Sequence, residues 1–156
     1  MSKRPTLKLP GQAPQKSPPT SGTTNSTPLP RRGDVLNYVF LFAREAQAGR
    51  DEGVKARPVM VMAVVGRRVT VMPLTTKGDD KPASSLAIPA PVASAMGLGG
   101  NTGSSLVPGE LNAFEWVGHD LRPIDKTGSF LFGRCTPGFF ATALDACLHI
   151  KPLSRD

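Results

Sequence analysis

Seven consecutive apolar residues, Val59-Met60-Val61-Met62-Ala63-Val64-Val65, form a continuous hydrophobic run in the middle of this chain. A run of this length, rich in valine and bounded by Arg57-Pro58 and Gly66, predicts a β-strand covered on both faces. Gly66-Arg67-Arg68 can turn the chain into Val69-Thr70-Val71-Met72-Pro73-Leu74, so the two runs predict a hairpin. Pro73 has no backbone N–H to donate, and it should therefore mark an edge, a bulge or the end of the second strand.

Shorter extended segments surround this hairpin. Val35-Leu36-Asn37-Tyr38-Val39-Phe40-Leu41-Phe42 follows the turn residues Gly33-Asp34 and predicts a first strand, and the polar residues 43–56 predict a loop with one helical turn. Further extended structure is expected near residues 85–88, along residues 103–114 with a kink at Pro108-Gly109, and at residues 130–132. A short helix is expected over residues 91–98.

The end of the chain carries the strongest helix signals. Thr136 suits the N-cap and Pro137 the first helical position. Apolar residues then recur at helical spacing: Phe139, Phe140, Ala143, Leu144, Cys147 and Leu148. Several short strands with one terminal helix predict a mainly β (α+β) fold, closed into a small barrel because closure removes sheet edges.

Composition divides the chain into two parts. Residues 1–30 contain seven prolines, nine serines or threonines and no aromatic residue, so residues 1–31 are expected to be a disordered basic tail. Residues 1–32 carry six of the seven net positive charges, which leaves the predicted domain, residues 32–156, close to neutral. Any anion site in that domain must therefore be local rather than a broad basic face.

Several common functional classes have no sequence support. Cys135 and Cys147 are not spaced as a metal site and are expected to be reduced core residues rather than a disulfide. The chain has no phosphate-binding glycine loop and no metal-protease motif, so we expect no metal and no cofactor. It also has no signal-peptide or membrane-spanning hydrophobic stretch, which predicts a cytoplasmic protein without membrane contact.

A series of short motifs occurs in order within the predicted domain. Gly33-Asp34 opens the first strand, Glu45-Ala46-Gln47-Ala48-Gly49 lies in the loop, Arg57-Pro58 opens the apolar strand, and Leu74-Thr75-Thr76 ends its partner. In this order the motifs resemble the MazF/PemK family of toxins from bacterial toxin–antitoxin systems. The resemblance extends to roughly residues 32–151 through Glu110-Leu111-Asn112, Phe114-Glu115-Trp116 and the helix over residues 137–148.

The resemblance implies a small SH3-like barrel of the MazF/PemK/CcdB type with a C-terminal helix. It also implies an endoribonuclease that cleaves single-stranded mRNA without metal, by attack of a ribose 2′-hydroxyl on the adjacent phosphorus. Arg57 would stabilise charge at the phosphate and Thr75 would position the reacting groups, while Thr76 and Lys77 would contact the RNA. The implied partners are a cognate antitoxin and a second copy of the chain in a homodimer.

Each of these residues also has an ordinary structural explanation. Arg57 could pair with Glu45 or Glu52 on the surface, and Thr75 could cap a turn. His119 has a suitable intrinsic pKa for proton transfer but is expected to be a solvated loop residue. Phe114 and Trp116 could stack on bases, although alternation along a strand favours the core. The alternative function is a non-catalytic or degenerate barrel that binds a protein, such as an antitoxin or a gyrase-like target.

Overall fold

The computed structural model describes residues 27–49, 55–75, 85–98 and 103–156. Its elements, in chain order, are β1 (Asp34–Val39), α1 (Ala43–Gln47), β2 (Ala56–Val65), β3 (Arg68–Thr75), β4 (Leu86–Ala87), α2 (Ala90–Ala95), β5 (Ser105–Leu106), β6 (Asn112–Glu115), β7 (Leu131–Arg134), α3 (Pro137–Cys147) and β8 (Leu153–Ser154). The protein is therefore mostly β, with a few short helices, as the sequence predicts.

One curled, mainly antiparallel sheet contains these strands. Its main path runs β4-β5-β3-β2-β1-β7, and β6 lies beside β3 and also pairs with β8. The long hairpin of β2 and β3 is the centre of the sheet, and a register shift between Val61 and Ala63 bends β2. The predicted hairpin is confirmed, and its strands extend slightly beyond the apolar runs.

Side chains on the two faces of the hairpin enter two different cores. Met60, Met62, Met72 and Leu74 face what we call the helix-side core, which α2 and α3 cover with Ala93, Met96, Ala143 and Cys147 among others. Alternate residues face what we call the aromatic core, whose buried members are Leu36, Tyr38, Phe40, Phe42, Val59, Val61, Val69, Val71, Phe114 and Trp116. The prediction that β2 is covered on both faces is thus confirmed for Val59–Met62, whereas Val65 at the end of the strand is 75% exposed.

The first strand is shorter than its sequence predicts. β1 ends at Val39, and the Leu41 backbone bonds instead to the buried Asn112 side chain, which accepts from Leu41 N–H at 2.9 Å and donates to Leu41 C=O at 2.8 Å. Phe40 and Phe42 remain buried in the aromatic core. Side-chain bonds therefore replace the strand ladder over residues 40–42.

Pro73 lies within β3 rather than ending it, because β3 continues to Thr75. Its carbonyl accepts a hydrogen bond from Val107 N–H at 3.0 Å, which points it away from β2. On that side β3 pairs with β6 up to Val71 and with β5 only from Leu74. The missing proline N–H therefore falls in the gap between two neighbouring strands, where no ladder bond is lost.

The helices follow their signals with two corrections. Thr136 is the N-cap of α3 and Pro137 its first residue, as predicted, but Leu148 lies beyond the helix and is 69% exposed. The predicted helix over residues 91–98 is α2, which ends earlier, at Ala95. Gly97 follows it with φ +80°, and there the chain packs directly on the backbone of β7. The two-residue strand β8 has no counterpart among the sequence predictions.

Both cysteines are buried thiols, as predicted, and burial raises the pKa of each. Residues 1–26 of the predicted tail lie outside the described residues. Residues 27–30 contact the domain: Pro30 is buried, and the Thr27 carbonyl accepts a 3.3 Å hydrogen bond from Trp116 Nε1. In the described part of the chain, no helix has both the length and the apolar character needed to cross a membrane.

Candidate functional site

Arg57 stands at the start of β2, at the edge of the aromatic core. Its Cα pairs with Tyr38 of β1, and it has the same strand parity as the buried Val59 and Val61. The guanidinium carbon lies 4.8 Å from the centre of the Phe42 ring, within the range of a cation–π contact. The side chain is therefore anchored on an aromatic ring while it remains partly exposed.

Within the described residues, Arg57 lacks the ion pair that would make it an ordinary surface arginine. Its Nε atom is buried without a hydrogen-bond partner, and no described carboxylate lies within ion-pair distance of the guanidinium. Partial burial lowers the pKa of Arg57, the negative charge of Glu45 raises it, and the positive charge of Arg44 lowers it again. The alternative partner Glu52 lies outside the described residues.

Thr75 is the last residue of β3 and is partly buried. Val59 of β2 pairs with Pro73, so continuing this register by two residues aligns Arg57 with Thr75 on the same face of the hairpin. On its other side Thr75 pairs with Ser105 of β5. The register therefore places the two residues that the sequence assigns to catalysis on adjacent strands at the open end of the hairpin.

The other residues considered from the sequence have separate outcomes. Thr76 and Lys77 lie outside the described residues. His119 is exposed in the loop after β6, as expected for a solvated histidine. Phe114 and Trp116 are 2% and 3% exposed, and Phe114 stacks on Tyr38 with ring centres 4.8 Å apart. The prediction that both aromatic residues belong to the core is confirmed, and they present no surface on which a base could stack.

Segment 40–42 and helix α1 set the surroundings of Arg57. The Glu45 carboxylate accepts a 2.9 Å hydrogen bond from Phe42 N–H, and the Glu110 carboxylate accepts one of 3.0 Å from Ala43 N–H. With the Asn112 bonds to Leu41, these contacts fix three consecutive backbone positions beside the ring that carries Arg57. The backbone beside the Phe42 ring is thus held by Glu45 of α1 and by two residues distant in sequence, Glu110 and Asn112.

A separate groove of about 670 Å³ lies at another place on the surface, and its lining includes Thr27, Trp116, His119 and Asp120. Its floor contains Arg155, whose side chain is 4% exposed, pairs with Asp120 at 3.0 Å and donates to Val39 C=O at 3.1 Å. Arg155 is fully engaged in holding β1 and the chain end together. We therefore assign it to structure.

Sequence reasoning assigned no functional role to Phe42, Arg44 or Asn112. Phe42 continues the alternation of Leu36, Tyr38 and Phe40 toward one face, which is a usable signal for its burial. Asn112 is the one described asparagine that is fully buried, and its neighbours in the chain contain no hint of its bonds to Leu41. Arg44 carries no distinguishing signal at all.

The arrangement can bind an anion and stabilise developing negative charge, because a guanidinium offers a planar fork of donors and keeps its charge. Among the described residues, no three His, Cys, Asp or Glu side chains cluster as a metal site. A comparison of the chain with protein-family models finds no matching family, and a comparison with curated proteins finds no significant match.

Proposed function

We propose that this protein is a metal-independent endoribonuclease of the MazF/PemK toxin type, built on an SH3-like barrel, that cleaves single-stranded RNA. The observation that carries the proposal is the Arg57 guanidinium, which has no ion pair in the described part of the chain and is aligned by strand register with Thr75. The order of motifs around these two residues supports the same conclusion.

In the proposed reaction, the ribose 2′-oxygen forms a bond to the adjacent phosphorus and the bond from phosphorus to the 5′-oxygen breaks. The 2′-hydroxyl loses its proton, the 5′-oxygen gains one, and the products carry a 2′,3′-cyclic phosphate and a 5′-hydroxyl. Arg57 would bind the phosphoryl oxygens, whose negative charge grows in the transition state. Its permanent charge makes it a poor base, so we assign it charge stabilisation. Thr75 would orient the 2′-hydroxyl or the phosphate through its own hydroxyl.

The first prediction concerns RNA cleavage. The purified protein should cut a mixed single-stranded RNA pool in excess EDTA and leave cyclic-phosphate ends. Arg57→Ala should remove about 2.7–4 kcal/mol of transition-state stabilisation, roughly a hundred- to a thousandfold in rate, because a preorganised donor is lost. Thr75→Ala should cost less if the hydroxyl only positions the reactants. Cleavage is followed by gel electrophoresis, and end groups by mass spectrometry.

Arg32→Ala is the matched control, because the Arg32 guanidinium also lies 5.0 Å from an aromatic ring, that of Phe140, but outside the proposed site. It should cut at the wild-type rate. If the unaltered protein leaves the RNA pool intact, or if Arg57→Ala cuts as fast as wild type, the ribonuclease proposal is wrong. The alternative, a barrel that binds a protein partner without catalysis, then takes its place.

The same proposal includes two protein partners. An antitoxin would inhibit the enzyme by laying an extended or helical acidic segment over the RNA site. A second copy of the chain would complete the RNA groove across a two-fold axis. The family resemblance supports both partners. The positive charge at Arg57 further supports the antitoxin, because it suits an acidic segment as well as RNA.

A further inference from the structure

Two arginines share one aromatic ring at the proposed site. The guanidinium carbon of Arg44 in α1 lies 5.0 Å from the centre of the Phe42 ring, and that of Arg57 lies 4.8 Å from the same point. The two charges are thus within about 10 Å of each other, comparable with the Debye length at physiological salt. The positive charge of Arg44 lowers the pKa of Arg57, although the negative charge of Glu45 raises it by more.

Neither arginine is neutralised by an ion pair within the described residues. The acidic side chains near them, Glu45 and Glu110, each use a carboxylate oxygen to accept a backbone N–H, from Phe42 and Ala43 respectively. The local acids are therefore partly committed to holding the start of α1. Two positive charges held within about 10 Å of each other, with no ion pair among the described residues, favour binding of an anion, because the anion reduces the repulsion between them.

We propose that Arg44 and Arg57, held on the Phe42 ring, form a paired phosphate site in which Arg44 binds a phosphodiester group neighbouring the one that Arg57 holds. This inference rests on the proposed ribonuclease function and extends it to how the substrate is bound. Phe42 is 8% exposed, so it serves as the support for the guanidinium groups and not as a base-stacking platform. The paired site selects a polynucleotide backbone over a single phosphate, because it offers two separate forks of donors.

The test measures binding without cleavage. A 2′-O-methyl RNA of about eight nucleotides, which lacks the attacking hydroxyl, is titrated by fluorescence anisotropy at several salt concentrations. Arg44→Ala and Arg57→Ala should each weaken binding by about threefold to tenfold and reduce the slope of log affinity against log salt by about 0.7. Arg44→Lys should recover most of the salt slope, and Arg32→Ala should change neither quantity.

Glu45→Gln provides a test in the opposite direction. Glutamine keeps an acceptor oxygen for Phe42 N–H but removes the negative charge that acts on Arg57. Binding should therefore become tighter by about threefold. If α1 has only a structural role, Glu45→Gln and Arg44→Ala should both weaken oligonucleotide binding. That result would overturn the proposal.

The outcomes separate this inference from the function on which it rests. If wild type cuts RNA and Arg57→Ala does not, but Arg44→Ala binds with wild-type affinity and salt slope, the paired site is wrong and the ribonuclease stands. If wild type does not cut RNA, yet both alanine variants lose oligonucleotide affinity, the paired site stands as a nucleic-acid site without that reaction. Inorganic phosphate is also added as a competitor of the oligonucleotide. If Arg44→Ala changes this competition but leaves the oligonucleotide affinity unchanged, the site holds free phosphate and the proposal is wrong.

Discussion

Asn112 is fully buried and satisfies both backbone groups of Leu41, which no strand partner reaches. An amide is the right group here, because its oxygen accepts and its nitrogen donates in the same plane. Leu41 precedes Phe42, and Phe42 supports Arg57. A single asparagine on β6 thus holds the backbone next to Phe42, the ring that the proposed catalytic arginine contacts.

We predict that Asn112→Ala lowers the free energy of unfolding by about 2–5 kcal/mol, because it leaves two buried backbone groups of Leu41 unsatisfied. Asn37→Ala is the matched control, since its side chain donates only weakly, at 3.2 Å and 3.5 Å, to exposed loop carbonyls. That variant should lose about 0.5 kcal/mol or less. Urea unfolding followed by tryptophan fluorescence measures the free energy of unfolding of both variants. Equal losses would show that the buried bonds to Leu41 contribute no more to stability than the exposed bonds of Asn37.

At the scale of elements, the segment after α2 and strand β7 approach so closely that only glycine fits at the crossing. A Cβ atom on Gly97 would overlap the Phe132 carbonyl, and one on Gly133 would lie 2.8 Å from the Ala95 carbonyl oxygen. This contact covers part of β7, which ends the main path of the sheet. Gly97 and Gly133 therefore each have a packing reason.

Gly97→Ala should destabilise the fold more than its backbone conformation alone explains. Gly97 has φ +80° and Gly128 has φ +85°, so alanine at either position costs about 1–2 kcal/mol for the left-handed conformation. Only at Gly97 does the new methyl meet backbone, because nothing lies within 4 Å at Gly128. The Gly97 variant should lose about 1–3 kcal/mol more than the Gly128 variant in urea unfolding. A difference of zero would mean that the crossing is loose.

Elements that depend on neighbouring residues were predictable from the sequence, and those that depend on distant ones were not. The β2–β3 hairpin follows from two apolar runs and a glycine turn, and α3 follows from Thr136 and Pro137. The position of Thr75 opposite Arg57 is instead what the family resemblance implies. The end of β1 depends on Asn112, whose contact with Leu41 spans 71 positions. Likewise, the meeting of Arg44 and Arg57 on Phe42 depends on how the 40–42 segment folds back.

Across the whole molecule, charge is divided between the chain start and a few local groups. Residues 1–32 carry six of the seven net positive charges, so residues 33–156, with 13 basic and 12 acidic side chains, have a net charge of only +1. A paired arginine site on one chain engages only a short piece of backbone. A second copy that doubles the site is one physical way to lengthen the groove, because a two-fold axis repeats every contact.

We therefore predict a homodimer, with a mass by light scattering of twice the 16.5 kDa chain at micromolar concentration. Leu131 on β7 is 45% exposed, and Ile124, in the hydrogen-bonded turn that leads into β7, is 38% exposed. These exposed apolar side chains, one on β7 and one just before it in the chain, make that edge our choice for the interface. Leu131→Lys should shift the mass toward the monomer, because association would bury its charge without a partner. Leu148→Lys, at a site 69% exposed beyond α3, is the control and should leave the mass unchanged. A monomeric wild type would contradict the composite groove. If Leu148→Lys splits the dimer and Leu131→Lys does not, the interface lies at the end of α3 instead of at β7.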